Sequence, residues 1–325
     1  MLVYAGIDEA GYGPMLGPLC IGCTAFVIPH HDPAAGAPNL WQRLNRAVCR
    51  SRRDRRNRIA VEDSKKLKGP NTAQTSHPLL HLERGVLSFL AAVHRDDPPA
   101  DDDALLQQLG ITIDRCPWYA PVSPLPAAVE SQMLRIDIAR VRRTLEATGV
   151  RCALLQARAI DAGPFNALLD RAGRKSAVNL DAAMQFVDQI WQTWPDDHPR
   201  VLVDRHGGRT HYREELQIAF PDARITVVAE EDECSRYRLQ RDRRLLTISF
   251  SAESESKHLP VALASMTAKY VRELHMMRLN RFFTELLPGL KPTAGYVKDA
   301  RRFVQDIEPV ITRLGLARDS LVRRR

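Results

Sequence analysis

The sequence predicts an α/β domain, and three observations carry that reading. Short apolar runs of strand character alternate with stretches of helical periodicity along most of the chain. The first run, Met1 to Ile7, ends in two adjacent carboxylates, Asp8 and Glu9, followed by the glycine-flanked turn Gly11-Tyr12-Gly13. A short apolar run far downstream, Arg200 to Asp204, also ends in an acid. Open α/β sheets gather their ligands at the C-terminal ends of strands, where these acids fall.

Taken in order, residues 1–28 read as two strands joined by the glycine turn, the second an apolar run from Leu19 to Ile28. Residues 41–58 hold eight arginines between Arg43 and Arg58, and read as a helix or loop facing phosphates or, equally, as a solvated basic face. After Glu62-Asp63-Ser64-Lys65-Lys66-Leu67, the run Leu79 to Val93 has helical spacing. Acidic residues and prolines then break the periodicity over 94–126, which reads as an inserted excursion. From Ala127 to Thr148 an amphipathic helix is predicted, with Leu134, Ile138, Val141 and Leu145 on one stripe and Gly149 as its stop. A buried strand is expected over Val150 to Ile160, then helices from Asp161 to Leu169 and from Asn179 to Trp194. The strand Arg200 to Asp204 is followed by a helix, Thr210 to Phe220, and a strand, Ala223 to Ala229. A basic stretch, Arg236 to Arg244, leads into the apolar run Leu245 to Phe250. Pro260 suits the first turn of a long helix reaching about Leu287, and one further helix is expected over 298–314. No internal repeat is evident. The prediction is a single catalytic domain over 1–325, with an inserted segment at 94–148 and a helical C-terminal extension at 288–325.

The 47 Lys and Arg residues against 39 Asp and Glu give a net charge of +8, which favours a polyanionic partner. No apolar run is long enough to span a bilayer. The N-terminal run lacks a preceding basic segment and is interrupted by acids, unlike a signal peptide, so a cytoplasmic location and a monomer are expected. Cys20 and Cys23 have metal-like spacing but lie in an apolar strand without a second pair, so they read as core residues.

Paired acids at the end of a buried strand need a cationic partner, because an isolated buried carboxylate is costly. Hard oxygen ligands suit magnesium or manganese. The competing reading of Asp8 and Glu9 alone is a hairpin turn with solvated acids. Asp204 and a third acidic point, Glu253 to Glu255, shift the balance toward a two-metal site of the kind that displaces phosphodiesters.

The segment GIDEAGYGPMLGPL, residues 6–19, resembles the opening motif of the type 2 ribonucleases H, the ribonuclease HII and HIII group. Asp63-Ser64-Lys65-Lys66-Leu67 is similar to that family's DSKKL, and Leu202-Val203-Asp204 to the strand bearing its third carboxylate. Residues 260–269, PVALASMTAK, resemble the family's Ala-Ser-Lys helix, and Gly295-Tyr296 the Gly-Tyr that follows it. The resemblance covers roughly residues 1–67, 150–230 and 250–300. It implies a ribonuclease H-like fold, with a central mixed sheet flanked by helices. It also implies hydrolysis of RNA in RNA/DNA hybrids or of ribonucleotide-containing duplex DNA, with two Mg²⁺ or Mn²⁺ ions.

Carried over residue by residue, the resemblance gives Asp8, Glu9 and Asp204 three of the four carboxylate places. Counting back from Val261 gives Glu255 the fourth, with Glu253 as its rival two positions away. Gly11, Tyr12 and Gly13 fall on the loop that reads the ribose 2′-hydroxyl. Tyr296 falls on the tyrosine packed against the sugar, although a core or capping tyrosine is its ordinary reading. Lys65, Lys66, Ser265 and Lys269 take phosphate-contacting places. Two departures stand out: Tyr12 replaces the arginine of ribonuclease HII, and Glu253 sits where the family often has lysine. His206, in the loop after Asp204, reads as a proton shuttle or, more simply, a loop histidine. Because the motif begins at residue 6, the N-terminal substrate-binding domain of ribonuclease HIII is not expected, and grip falls to the insert or the C-terminal region. The rival functions are a binding module that no longer cuts, and a metal-dependent nuclease for branched or single-stranded DNA on the same fold.

Overall fold

The computed structural model describes residues 1–32, 35–70, 76–113, 116–205 and 207–324. The chain opens with β1 (Leu2–Ala10) and β2 (Leu19–Ile28), then α1 (Leu40–Arg43), β3 (Val48–Cys49), β4 (Ile59–Ala60), α2 (Ser64–Leu67) and α3 (Leu80–His94). Next come α4 (Asp102–Gln108), α5 (Ser131–Thr148), β5 (Arg151–Ile160), α6 (Ala162–Ala172) and α7 (Lys175–Thr193). The remainder is β6 (Arg200–Asp204), α8 (Arg213–Ala219), β7 (Arg224–Glu230), β8 (Cys234–Arg241), β9 (Arg244–Ser251), α9 (Ser254–Lys257) and α10 (Leu259–Leu286). It closes with α11 (Val297–Asp306), α12 (Glu308–Leu314) and α13 (Arg318–Leu321).

Seven strands form one sheet in the order β5-β2-β1-β6-β9-β8-β7, while β3 and β4 make a small separate pair. β1 pairs antiparallel with β2 and parallel with β6, β6 is parallel to β9, and β8 and β7 follow antiparallel. The result is a mixed sheet with helices on both faces, the architecture that the resemblance implies.

β1 and β2 bury both faces, because nearly all their side chains are apolar on either side of the sheet. Tyr4, Phe26 and Ala157 pack on the face shared with α3, α5 and the first half of α10. Val3, Ala5, Ile7, Val201 and Phe250 pack on the opposite face against Phe165, Val187 and Leu216 of α6, α7 and α8. Helix α5 buries Leu134, Ile138, Val141 and Leu145, the predicted stripe, and ends at Gly149 in the left-handed region.

Helix α10 is buried on all sides from Leu259 to Ala268, as a helix without a polar face must be. Its first turn lies directly on β1: a Cβ at Gly6 would stand 2.3 Å from the Val261 nitrogen. Only glycine permits that approach. The Tyr4 hydroxyl lies 2.6 Å from His258 Nδ1, and Thr24 Oγ1 donates to the Pro260 carbonyl at 2.7 Å, fixing the helix entry.

Three regions differ from the sequence expectation. The segment 94–126 contains α4, whose Leu105 and Leu106, with Leu109, join the main core. Arg278 of α10 ion-pairs with the fully buried Asp102, and Glu83 of α3 accepts the backbone N–H groups of Ala127, Ala128 and Val129 and the Tyr270 hydroxyl. Polar anchors, invisible to periodicity, hold this stretch in place. The basic stretch after Arg236 belongs to a strand, β8, with Ser235, Tyr237 and Leu239 buried between exposed Arg236, Arg238 and Gln240. The helix expected over 298–314 is two, α11 and α12, meeting at Ile307 with a proline in the first turn of the second.

Candidate active site

Parallel pairing aligns Ile7 with Val203, so Asp8 and Asp204, the next residues, emerge side by side at the C-terminal ends of β1 and β6. Asp204 in turn stands opposite Ser251 at the end of β9. The chain then turns through Glu253, with φ of 54°, into the short helix α9, whose first turn carries Glu255. Glu253 and Glu255, two positions apart, therefore do not lie together on one strand face.

Asp8, Glu9, Asp204 and Glu255 line one pocket of about 220 Å³, together with Gly11, Tyr12, Gly13, Lys65, Ser265, Lys269 and Tyr296. Asp63 and Ser64 complete the wall. Lys66 stands outside it, exposed and 3.6 Å from Glu62, and Glu253 is exposed and lines no part of it. His206 lies outside the described residues.

The electrostatics of the pocket follow from burial and from like charges. Asp8 is only 7 % exposed; desolvation first, then the charges of Glu9, Asp204 and Glu255, push its carboxyl well above the usual range, while the Ser265 hydroxyl opposes the shift. Asp204 is pushed up to about 7 by burial and then by Glu255, against the Ser254 N–H that donates to its Oδ1 at 3.1 Å. Glu9 is raised chiefly by desolvation, with Asn179 and Lys65 acting in the opposite sense. Asn179, buried on α7, makes no hydrogen bond of ordinary geometry with either side-chain atom, although its amide lies close enough to favour the Glu9 carboxylate.

Glu255 Oε2 is buried without a hydrogen-bond partner. Among the described residues, no Lys or Arg ion-pairs with Asp8, Asp204 or Glu255. Lys269, which lines the pocket, is held by Glu273 at 2.6 Å. Four hard carboxylates, an orphaned oxygen and raised protonation together fit divalent cations better than any protein partner. Among the described residues, however, no group of three or more His, Cys, Asp or Glu side chains is closed around a single point in metal-binding geometry. The donor set fits such an ion.

The glycine turn is held from behind by two buried arginines. Gly11 has φ of 87°, and a Cβ there would meet Arg272 Cδ and the Pro18 carbonyl at 2.7 Å. Arg323 donates to the carbonyls of Gly11 and Pro14, and Arg272 to those of Leu16 (3.2 Å) and Ala294 (3.1 Å). The Met15 N–H donates to the Gly295 carbonyl at 2.8 Å, which ties the turn to Tyr296. Tyr296 is 55 % exposed, beside the Arg272 guanidinium at 6.0 Å, so it is not a core tyrosine. Tyr12 is also exposed, at 41 %. Sequence reasoning missed Asn179, Arg272 and Arg323. Only Asn179 carried a local signal, a polar residue set between Val178 and Leu180.

No protein-family model and no curated protein matches the chain. Among solved structures, it is similar to ribonuclease HII of Archaeoglobus fulgidus, in a structure of that enzyme's complex with PCNA: 17 % identity, TM-score 0.45, covering 100 % of this chain and 95 % of that one. It is similar to ribonuclease H2 of Pyrococcus horikoshii OT3 at 14 % identity and TM-score 0.44, over 98 % of this chain and 92 % of that one. A third, Bst-RNase HIII in complex with Mn²⁺, shares 14 % identity at TM-score 0.41, over 99 % of this chain and 66 % of that one. All three structures are of ribonucleases HII, H2 or HIII, the type 2 ribonucleases H whose opening motif residues 6–19 resemble.

Proposed function

We propose that the chain is a metal-dependent endoribonuclease of the type 2 ribonuclease H kind. It hydrolyses the RNA strand, or embedded ribonucleotides, of RNA/DNA duplexes to 3′-hydroxyl and 5′-phosphate ends. The convergence of Asp8, Glu9, Asp204 and Glu255 in one pocket carries this reading. A phosphate backbone is repelled by four carboxylates unless cations lie between them. Asp8, Glu9, Asp204 and Glu255 would hold two Mg²⁺ or Mn²⁺ ions, which when bound supply an activated water and neutralise charge on the attacking and leaving oxygens.

The chain's own groups bind and orient the substrate. The Gly11–Gly13 turn, open to solvent on one side and braced by Arg323 on the other, offers backbone groups to a ribose 2′-hydroxyl, the group that separates RNA from DNA. The exposed ring of Tyr296 lies at the pocket wall, where a sugar face can pack on it. Lys65 is exposed at the rim and supplies positive charge to a phosphate. Lys269 and Ser265 occupy the floor, the serine donating to Ser64 Oγ at 3.0 Å. Tyr12, in place of the ribonuclease HII arginine, favours one competing reading, a nucleic-acid-binding module that does not cut.

The test uses the purified protein with Mg²⁺ or Mn²⁺ and three labelled duplexes: an RNA/DNA hybrid, DNA with one ribonucleotide, and all-DNA. Cleavage confined to the RNA-containing duplexes is expected, with 3′-hydroxyl ends that a polymerase extends. Binding of all three without cleavage would install the module reading instead, and cleavage of all-DNA or branched DNA would replace the substrate.

A further inference from the structure

Helix α10 covers β1 and β2, but on the same face the strands beyond β1 carry a different surface. Cross-strand register sets Tyr4, Arg200, Thr247 and Arg238 in one row, and Gly6, Leu202, Ser249 and Arg236 in the next. Residues two apart along a strand share a face, so these rows lead on to Asp204 at the end of β6. Arg200, Arg236 and Arg238 line a groove of about 300 Å³ with Thr247 and Ser249 as its floor.

The polar contacts in this groove are hydroxyls and an imidazole. Arg200 Nη1 donates to Thr247 Oγ1 at 2.6 Å and lies 2.6 Å from His198 Nε2, and Arg236 Nε donates to Ser249 Oγ at 3.2 Å. Among the described residues, no Asp or Glu ion-pairs with any of the three arginines. Burial, then the charges of Arg238 and Arg236, pull Arg200 below its ordinary range. Burial, then Arg200 and Arg238, push His198 down to about 4, so it stays neutral and accepts from Arg200. Three guanidinium groups gathered without an acid repel one another. An anion with several oxygens relieves that repulsion through charge-assisted hydrogen bonds. Two of the arginines, Arg236 and Arg238, are exposed and free to turn toward such a ligand.

Distance relates this groove to the carboxylates. Arg200 and Asp204 are the two ends of β6, about 13 Å apart at the rise of a strand. A duplex strand places a phosphate every ~3.4 Å along its axis, so roughly four phosphates span the interval. We infer that the Arg200–Arg236–Arg238 groove is a second nucleic-acid contact, which holds a phosphodiester stretch roughly two to four nucleotides from the carboxylate pocket. This rests on the proposed function only in taking the polyanion to be nucleic acid. It adds a site that neither the opening motif nor the Ala-Ser-Lys helix contains.

The experiment measures binding without cleavage, in chelator, of a fluorescein-labelled duplex carrying one ribonucleotide, from 50 to 200 mM salt. The parent chain is compared with Arg236→Gln/Arg238→Gln and Arg236→Lys/Arg238→Lys. The glutamine pair is expected to bind about tenfold more weakly at low salt, with a log–log salt slope shallower by about 1.4 to 1.8, two phosphate contacts' worth. The lysine pair should keep the parent slope. Trimming the duplex on one side of the ribonucleotide, and only on that side, should abolish the difference between parent and glutamine pair. An unchanged slope in the glutamine pair overturns the inference, as does a loss that persists whichever side is trimmed. Restoration of the difference by an acidic peptide in place of DNA would point to a protein partner and overturn it too. If the parent cuts RNA-containing duplexes while the variants bind like the parent, the groove fails and the function stands. If the glutamine pair loses slope but no duplex is ever cut, the groove stands and the endoribonuclease reading falls.

Discussion

At the scale of single residues, the pocket holds charge that the folded chain does not neutralise. Asp204 is raised by burial and by Glu255, so its ionised form destabilises the fold in the absence of a cation. Asp204→Asn removes that repulsion and keeps the acceptor for the Ser254 N–H. Without metal, it should raise thermal stability by about 1 kcal/mol, while cleavage falls by about 10³-fold or more. Thermal denaturation in chelator and single-turnover cleavage check the two halves. Glu255→Gln should match that loss of cleavage, and Glu253→Gln should leave cutting within about threefold of the parent. Asp8, Glu9 and Asp204 were legible as acids at strand ends. Counting back from Val261 chose Glu255, but spacing alone could not exclude Glu253, because the left-handed residue and helical turn that separate them leave no mark in the sequence. Arg323 and Arg272 were beyond reach of the sequence, since Arg323 opens a run of three arginines and no motif surrounds Arg272.

At the scale of elements, the strands with uniform apolar runs were read with their correct bounds within a few residues, and α5 was read from its stripe. Strand β8 was lost because its exposed positions are arginines, and the alternation with Ser235, Tyr237 and Leu239 was hidden by charge. Segment 94–126 was lost because its anchors are buried ion pairs and backbone contacts to Glu83, which leave no periodic mark. The junction of α9 and α10 carries its own prediction. His258 is pushed down to about 4 by burial, then by Lys257, and its Nδ1 meets the Tyr4 hydroxyl. The unfolded histidine takes up its proton near pH 6.5 and the folded one only near 4, so the unfolded state binds more protons in between. The stability due to neutral His258 is fully present above about pH 6.5 and is lost as pH falls toward 4. Unfolding free energies from urea titrations should drop across that window, by up to ~2 kcal/mol after screening, and His258→Gln should flatten the fall.

At the scale of the whole molecule, segments distant in sequence brace one another around the pocket. Arg323, pushed down to about 10 chiefly by burial and then by Arg272, stacks near Phe165 at 5.0 Å and reaches across to the glycine turn. Arg323→Ala should loosen that turn without touching the carboxylates. KM for an RNA-containing duplex is expected to rise about tenfold, with kcat within about twofold of the parent. A purely structural role would instead lower both parameters together with the fraction folded, and Arg323→Lys should restore part of the KM. The fold class could be read from runs and spacing; the bracing could not, because it exists only between segments that meet in space.

The parallel pairing of β1 with β6 has a consequence for the chain while it folds. No hairpin joins these strands: the carboxylates of β1 must wait for β6, and both must wait for β9 and α9. Such non-local pairings form late, because a long loop must close before any contact rewards it. A partly folded molecule therefore carries its acids apart, unable to hold cations jointly. On the endoribonuclease reading proposed above, cutting is thereby deferred until the sheet closes, and the topology acts as a safety catch.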